Sequence, residues 1–311
     1  MEKDFFRESV IMANELDVAG EFIYSAINKL NQMVSFEYIG EDFFFLYHLA
    51  VGFERMQKIL LLIINDVQES DIKKFLDKIK THNHQNLHGK IKEKIKISFS
   101  KEQNELLKIL SDFYEEERYS RFDFFSYDFK DRNILVEYIQ KYCKDLRYDY
   151  ITGKEILLNT DTVKEFLGRI IGRMCEKYYD AIEKQSENKG IFCYELRYNS
   201  PAERMFYRKE NKGSSQKKID REKRAIKELL VYLMNSMERN TLIEYINTIE
   251  PLPFDASSIQ EYIDDLCNKI VPIDLINEVE YMYGEFVENK WEREQMMLLI
   301  GDKGRIFVTE E

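Results

Sequence analysis

The stretch that decides the fold is FFFLYHLAVGFERMQKILLLII, which spans residues 43–64. It is the most hydrophobic part of the chain, but the charged residues Glu54, Arg55 and Lys58 interrupt it. Because a membrane span of this length does not readily tolerate three charges, the stretch predicts a core helix over residues 41–66. Apolar residues also recur at helical spacing over residues 2–34, and Gly40 separates the two segments. We therefore expect two long helices that pair antiparallel.

The composition favours helices throughout the chain. The 311 residues are 44% hydrophobic but include only 12 glycines and 4 prolines, a balance typical of long, uninterrupted helices. Ser100 and Gln103 have the spacing of a capping box, which predicts the start of a helix that runs to about residue 119. Further helices are predicted over residues 71–80, 82–96 and 131–147. The sequence thus predicts a mainly α protein whose first half is a multi-helix bundle.

A new start is predicted near residue 159, because Thr162 and Glu165 have the spacing of a second capping box before a helix that reaches residue 186. We place a domain boundary there, which gives a helical bundle over residues 1–158 and a second helical domain over residues 159–311. The second domain is expected to contain a small β element. Its predicted parts are a strand at 191–198, a linker at 211–216, helices at 220–239, 257–269 and 272–290, and a β-hairpin at 296–308.

Charge and cysteine usage exclude several classes of protein. The formal net charge of −11 argues against attraction of nucleic acid or anionic lipid over the whole surface, so any polyanion site must be local. The 4 cysteines are widely spaced and indicate neither a zinc ribbon nor a disulfide scaffold. No G-x-G-x-x-G motif or P-loop is present, and we expect no bound cofactor. We also expect a cytoplasmic protein with no membrane segment.

Three of the 4 histidines, His82, His84 and His88, fall within seven residues. His84 and His88 are four residues apart, which on a helix places both imidazoles on one face and allows them to share a metal ion. A third ligand would have to come from elsewhere, and Gln85 stands where a metalloprotease H-E-x-x-H motif requires glutamate. The alternative is a polar helix start that packs on the core.

Three segments together resemble the HEPN superfamily: the apolar helix at 43–64, NHQNLH at 83–88, and FYEEERYSRF at 113–122. The resemblance covers about the first 150 residues. It implies a helical bundle that often dimerises, and a ribonuclease or nucleotide-linked partner in toxin–antitoxin or phage-defence systems. The usual catalytic signature, an arginine followed by a histidine four to six intervening residues later, is absent, because Arg55 is the arginine nearest before His82 and no histidine follows Arg118 or Arg121.

A nonstandard active site is still a hypothesis, in which folding brings His84 or His88 beside Arg118 or Arg121. A ribonuclease of this kind needs a histidine for proton transfer and an arginine to stabilise the charge that develops on the phosphorane. The alternative is that the two arginines pair with the acidic residues that surround them in the sequence.

A second candidate site is a basic segment at residues 204–224, where nine basic and three acidic residues leave a local charge of +6. Phe206 and Tyr207 could add stacking to charge, as single-stranded nucleic-acid sites do. The alternative is a solvated linker and helix face. The candidate nucleic-acid-binding residues are Arg204, Arg208, Lys209, Lys217, Lys218 and Arg221.

Three functional interpretations follow. The first is a HEPN-like protein that binds RNA, nucleotide or a partner protein in phage-defence or toxin–antitoxin biology. The second is a structural or regulatory helical protein that dimerises through its aromatic-rich first half and has no substrate. The third is an enzyme, either a metal-independent ribonuclease or a hydrolase with a histidine-bound metal.

Overall fold

The computed structural model describes residues 5–65, 67, 69–117, 130–151, 154–191, 241–267 and 272–300, together with residues 206, 219 and 223. These residues contain eleven helices and a two-stranded antiparallel sheet, which confirms the predicted mainly α class. They group into two compact units, one within residues 1–220 and one within residues 221–311. None of the helices in the described ranges is long and apolar enough to cross a membrane.

Two long helices, α1 (Phe5–Gln32) and α2 (Ile39–Asn65), form the centre of the first unit. An ion pair between Lys29 and Glu41 joins the end of α1 to the start of α2, and an ion pair between Glu15 and Arg55 joins their middle parts. The helices are therefore antiparallel, as predicted. Apolar residues of both helices, including Leu16, Ile23, Phe53 and Leu60, are fully buried, so each helix hides an apolar stripe from water.

Shorter elements pack around this pair. They are a 3-10 turn (Glu69–Asp71), α3 (Ile72–Lys78), α4 (His84–Lys94), α5 (Lys101–Asp112), a π-helical turn (Phe113–Glu117), and α6 (Lys130–Tyr142). The capping box at the start of α5 is confirmed, because the Ser100 hydroxyl accepts from the Gln103 N–H and the Gln103 side chain accepts from the Ser100 N–H. The predicted helix to about residue 119 continues past Asp112 as the π-helical turn up to Glu117, and residues 118 and 119 lie outside the described residues.

A short hairpin that the sequence did not predict follows α6. Strands β1 (Tyr148–Ile151) and β2 (Lys154–Leu157) pair antiparallel, with Tyr148 opposite Leu157. The hairpin packs on the α1–α2 connection, where the Phe36 N–H donates to the Leu157 carbonyl at 3.0 Å. The buried Asn159 amide nitrogen donates to the carbonyl oxygens of Leu30 and Met33 at 2.6 and 3.0 Å. These bonds satisfy carbonyls that the end of α1 leaves without helical partners.

Helix α7 (Asp161–Asn188) belongs to the first unit, so the division at residue 220 differs from the boundary predicted near residue 159. The physical reason is its apolar stripe, which packs against α1, α2 and α5. The predicted capping box at Thr162 is wrong, because Thr160 is the N-cap residue and makes no side-chain capping bond. The buried stripe of α7 includes Val163, Phe166, Leu167, Ile170, Ile171, Met174, Tyr178 and Ile182.

The second unit contains α8 (Thr241–Asn247), α9 (Ile259–Cys267), α10 (Ile273–Glu285) and α11 (Lys290–Leu299). Helices α9 and α10 lie within the segments predicted as helical. The predicted C-terminal hairpin is wrong at residues 296–299, which lie in α11, a helix whose start is capped by the Asn289 side chain accepting from the Glu292 N–H. The rest of that hairpin, the strand at 191–198, the linker at 211–216 and the helix at 220–239 fall outside the described residues, apart from positions 191, 223 and 300.

Candidate functional site

His84 and His88 lie on one face of α4, as the sequence predicted, but this face is buried inside the protein. Asn83 caps α4 by accepting a hydrogen bond from the Asn86 N–H at 2.8 Å, so the helix begins at His84. His84 is 0% exposed and His88 is 4% exposed, in line with Leu87 and Ile91 on the same buried side of α4. Both imidazoles therefore contribute to the core between α4, α2 and α7.

A hydrogen-bond chain joins the two imidazoles through one residue of α2 and one of α7. His84 Nδ1 lies 3.1 Å from Gln57 Oε1. Gln57 Nε2 donates to the His84 carbonyl oxygen at 3.0 Å and to the Tyr178 hydroxyl at 2.8 Å. The Tyr178 hydroxyl in turn lies 2.8 Å from His88 Nδ1. We call His84, Gln57, Tyr178 and His88 the buried chain.

Burial holds both imidazoles neutral at pH 7. Removal from water lowers the pKa of His84 to about 4 and the pKa of His88 to about 4, from an ordinary value of 6.5. Each ring has its Nδ1 atom engaged in the buried chain, and among the described residues no three histidine, cysteine or carboxylate side chains are grouped to hold a metal ion. The packing matches the alternative of a polar helix start on the core. Arg118 and Arg121, the proposed catalytic partners of His84 and His88, lie outside the described residues.

His82 is the exposed histidine of the cluster. Its side chain is 47% exposed and lies in the turn before α4, where Nδ1 donates to Glu54 Oε2 at 2.8 Å. The other carboxylate oxygen of Glu54 accepts from Lys58 Nζ at 2.6 Å. Burial raises the pKa of Glu54, but the hydrogen bonds from His82 and Lys58 outweigh it and leave that pKa below its ordinary value. Glu54 therefore stays ionised at neutral pH and fixes the orientation of the His82 ring.

A series of ring contacts leads away from His82 along α2. The His82 ring centroid lies 4.5 Å from that of Tyr114, which stacks on Tyr47 at 5.8 Å. Tyr47 contacts His48 edge-on at 5.5 Å, and His48 stacks on Phe44 at 3.7 Å. Tyr114 reaches this position from the π-helical turn, a local structure that frequently occurs at functional sites. We call His82, Tyr114, Tyr47, His48 and Phe44, with Glu54 and Lys58, the α2 face.

Sequence reasoning named His82 but gave it no role. The signal that could have identified it is its place one residue before the Asn83 cap, since this position is outside the helix and does not share the face of His84 and His88. A second signal is the pair of charges, Glu54 and Lys58, inside an apolar helix. Because they are four residues apart they lie on one side of α2, and they mark the side that reaches solvent.

The basic segment at 204–224 lies outside the described residues except for three positions, so the nucleic-acid-binding prediction for Arg204, Arg208, Lys209, Lys217, Lys218 and Arg221 stays a prediction. Phe206 is described, and its ring is buried against Tyr179 at a centroid distance of 5.8 Å. Phe206 is therefore a core residue, and its predicted role of stacking on a ligand base is wrong.

Comparison with known proteins gives no relative. No family model matches the chain, and no curated protein and no solved structure matches it.

Proposed function

We propose that this protein binds a nucleotide or single-stranded RNA at the α2 face, as a HEPN-like cytoplasmic protein in nucleic-acid-linked phage-defence or toxin–antitoxin biology. The proposal is based on the unbroken series of ring contacts from His82 to Phe44. Lys58 lies at the His82 end of this series, where it pairs with Glu54. Aromatic rings offer nucleobases a stacking surface, and cations beside them contact phosphate.

The two ends of the series are the exposed parts. His82 is 47% exposed and Phe44 is 38% exposed. Tyr114, which contacts His82 and Tyr47, is buried. A ligand would therefore meet His82 near Lys58 at one end and Phe44 at the other. Since the whole chain carries a net charge of −11, the attraction for phosphate must be short-ranged and sensitive to salt.

The test is binding of a fluorescently labelled single-stranded RNA pool and of labelled ATP and GTP, measured by anisotropy at two salt concentrations. We expect His82→Ala and Phe44→Ala each to weaken binding about tenfold, because the loss of one stacking contact costs about 1–3 kcal/mol. Lys74→Ala and Leu76→Ala are the matched controls, since both side chains are exposed on α3, a helix that contributes no residue to the α2 face. Equal affinity of all four variants would contradict the proposal.

The same samples distinguish binding from cleavage. RNA length is followed in EDTA and then with added zinc or manganese. Fragments in EDTA would support a metal-independent ribonuclease, and fragments only with metal would support a metal-dependent hydrolase. Intact, bound RNA is the result that the present proposal expects.

A second candidate function, dimerisation without a substrate, is favoured by one observation. Val34, Tyr38 and Phe44 are exposed around a shallow cavity of about 620 Å³ at the α1–α2 turn, and Tyr38 is 63% exposed. Exposed apolar groups that lie together are typical of protein–protein contacts. Sedimentation of the wild type and of Tyr38→Glu tests this candidate, which requires a dimer that the substitution dissociates.

A further inference from the structure

The hydrogen bonds within the buried chain favour one arrangement of protons. Gln57 Oε1 can only accept, so His84 Nδ1 must carry the proton in the contact between them. The orientation of the Gln57 amide is fixed, because its nitrogen also faces the His84 carbonyl oxygen, which can only accept. Gln57 Nε2 therefore donates to the Tyr178 hydroxyl oxygen.

The direction of donation continues to His88. The Tyr178 oxygen accepts from Gln57, and within the described residues His88 Nδ1, 2.8 Å away, is the acceptor available to the Tyr178 hydrogen. His88 Nδ1 then accepts, and the proton of this neutral imidazole resides on Nε2, an atom with no hydrogen-bond partner among the described residues. The two histidines are thus held in opposite tautomers, with the proton on Nδ1 in His84 and on Nε2 in His88.

We propose that the buried chain is a pH-sensitive latch, which fastens α4 to α2 and α7 at neutral pH and releases it in acid. Gln57 comes from α2, both histidines come from α4, and Tyr178 comes from α7, so the chain connects all three helices. A proton added to His88 Nδ1 would remove the acceptor of the Tyr178 hydroxyl, and the hydrogens of the two groups would then point towards each other. A proton added to His84 Nε2 would create a buried charge at an atom with no hydrogen-bond partner in the described parts of the chain.

The charges around the buried chain do not compensate an added proton. The charged and titratable groups that face the two imidazoles are Glu54 and Lys58 of α2, His82, Lys92 of α4, and Lys177 of α7. Only the Glu54 carboxylate attracts a proton, and it is already bound to His82 and Lys58. Lys58 and His82 oppose protonation of His84, while Lys92 and Lys177 oppose protonation of His88.

The direction of the pH effect follows from these surroundings. Burial lowers the pKa of each imidazole to about 4, whereas a released imidazole regains its ordinary pKa of 6.5. The released form therefore binds more protons at any pH between these values. Attachment of α4 is fully stable above pH 6.5 and weakens as the pH falls from 6.5 towards 4, by up to about tenfold per pH unit for each histidine.

The first test is amide hydrogen exchange of the full-length wild type at pH 7 and pH 5, corrected for the intrinsic effect of pH on exchange. We expect the protection factors of α4 to fall at least tenfold at pH 5, while those of α6 change much less, because α6 carries no member of the buried chain. Equal protection of α4 at the two pH values would overturn the proposal.

Two variants identify the sensor. His82→Gln removes the exposed histidine and should leave the pH dependence of α4 protection unchanged. If this variant loses the pH dependence, the His82–Glu54 pair and not the buried chain is responsible for it. The double variant His84→Asn with His88→Asn offers amide groups near the Nδ1 positions that do not titrate, and the protection factors of α4 should then be the same at pH 7 and pH 5.

Nitrogen-15 NMR of the wild-type histidines keeps the proposal testable even if the double variant does not fold. We expect a protonated Nδ1 in His84 and a protonated Nε2 in His88 at pH 7. Tyr178→Phe removes the hydroxyl that fixes the tautomer of His88, so the Nε2-protonated form of His88 should no longer be favoured, while the tautomer of His84 stays the same. Tyr138→Phe, which removes the hydroxyl of another buried tyrosine, should change the tautomer of neither histidine. The same tautomer in both histidines would refute the proton order.

Discussion

His88 Nδ1 lies 2.8 Å from the Tyr178 hydroxyl oxygen, a contact between residues ninety positions apart in the sequence. It joins the short helix α4 to the long helix α7, and Gln57 extends the connection to α2. Polar groups inside an apolar core need hydrogen-bond partners, and the two side-chain polar atoms of Gln57 supply three of these bonds.

Replacement of Gln57 should therefore destabilise the protein strongly. Gln57→Leu fills a similar volume but leaves the His84 Nδ1–H and the His84 carbonyl without their bonds to the Gln57 side chain. We expect the free energy of unfolding to fall by about 2–4 kcal/mol, since each buried group left unpaired costs about 1–3 kcal/mol. Chemical denaturation measures the change, and Gln140→Leu, at an exposed glutamine that donates to the Tyr148 hydroxyl, is the control expected within about 0.5 kcal/mol.

Gly52 permits the close approach of α1 and α2. A Cβ atom at this position would lie 2.6 Å from Ile23 Cδ1 and 3.3 Å from the Ala19 carbonyl oxygen. Gly52→Ala should therefore destabilise the protein by about 1–2 kcal/mol, although alanine favours a helix. Thermal unfolding should also show that Ile23→Ala and Gly52→Ala together cost less than the sum of the single changes, and strict additivity would exclude the clash.

Gly89 offers the opposite case on α4. Apart from the backbone of its own helix and its chain neighbours, no atom of the described residues lies within 4 Å of the Cβ that an alanine would add there, so only the helical preference changes. We expect Gly89→Ala to raise the free energy of unfolding by about 0.5–1 kcal/mol in the same denaturation experiment. A loss of stability at Gly89 would mean that the surroundings of α4 are closer than the structure indicates.

The capping box of α5 predicts a moderate effect. Ser100→Ala removes the acceptor for the Gln103 N–H, and the free energy of unfolding should fall by about 1 kcal/mol. Ser98→Ala removes a hydroxyl from the same loop without touching the cap. If the two serine variants unfold at the same denaturant concentration, the cap does not contribute to stability.

Asn159 tests how firmly the hairpin region is attached to α1. Asn159→Ala leaves the Leu30 and Met33 carbonyls without a buried donor, and we expect a loss of about 1–3 kcal/mol. Asn104 is a matched control, because its exposed amide also donates to two carbonyls, those of Phe99 and Ser100. Water can replace Asn104 but not the buried Asn159, so equal losses for the two alanine variants would contradict this account.

The sequence was a good guide where local chemistry decides structure. The apolar spacing predicted α1 and α2, and Ser100 with Gln103 predicted the start of α5, because both depend on residues close in the chain. The hairpin at 148–157 was missed because its four-residue strands gain stability from contact with residues 33–36, which no local pattern shows. Thr162 failed as a cap because Thr160 already starts the helix.

The candidate site was predictable only in part. The shared face of His84 and His88 followed from their spacing, but that spacing does not say whether the face points inward. Leu87 and Ile91 continue the same face and could have indicated burial. Gln57 is 27 positions away from His84, and Tyr178 is 121 positions away from Gln57. Only the fold brings these residues together.

The hairpin also limits how strands of other molecules can add to the sheet of this protein. The outer side of β2 is already engaged by its own chain, through the Phe36 N–H and the bridge between Ser35 and Leu158. Within the described residues, β1 provides the edge that is still open, and it is only four residues long. Short edges are poor templates for strand addition, so the fold carries its own protection against edge-to-edge aggregation.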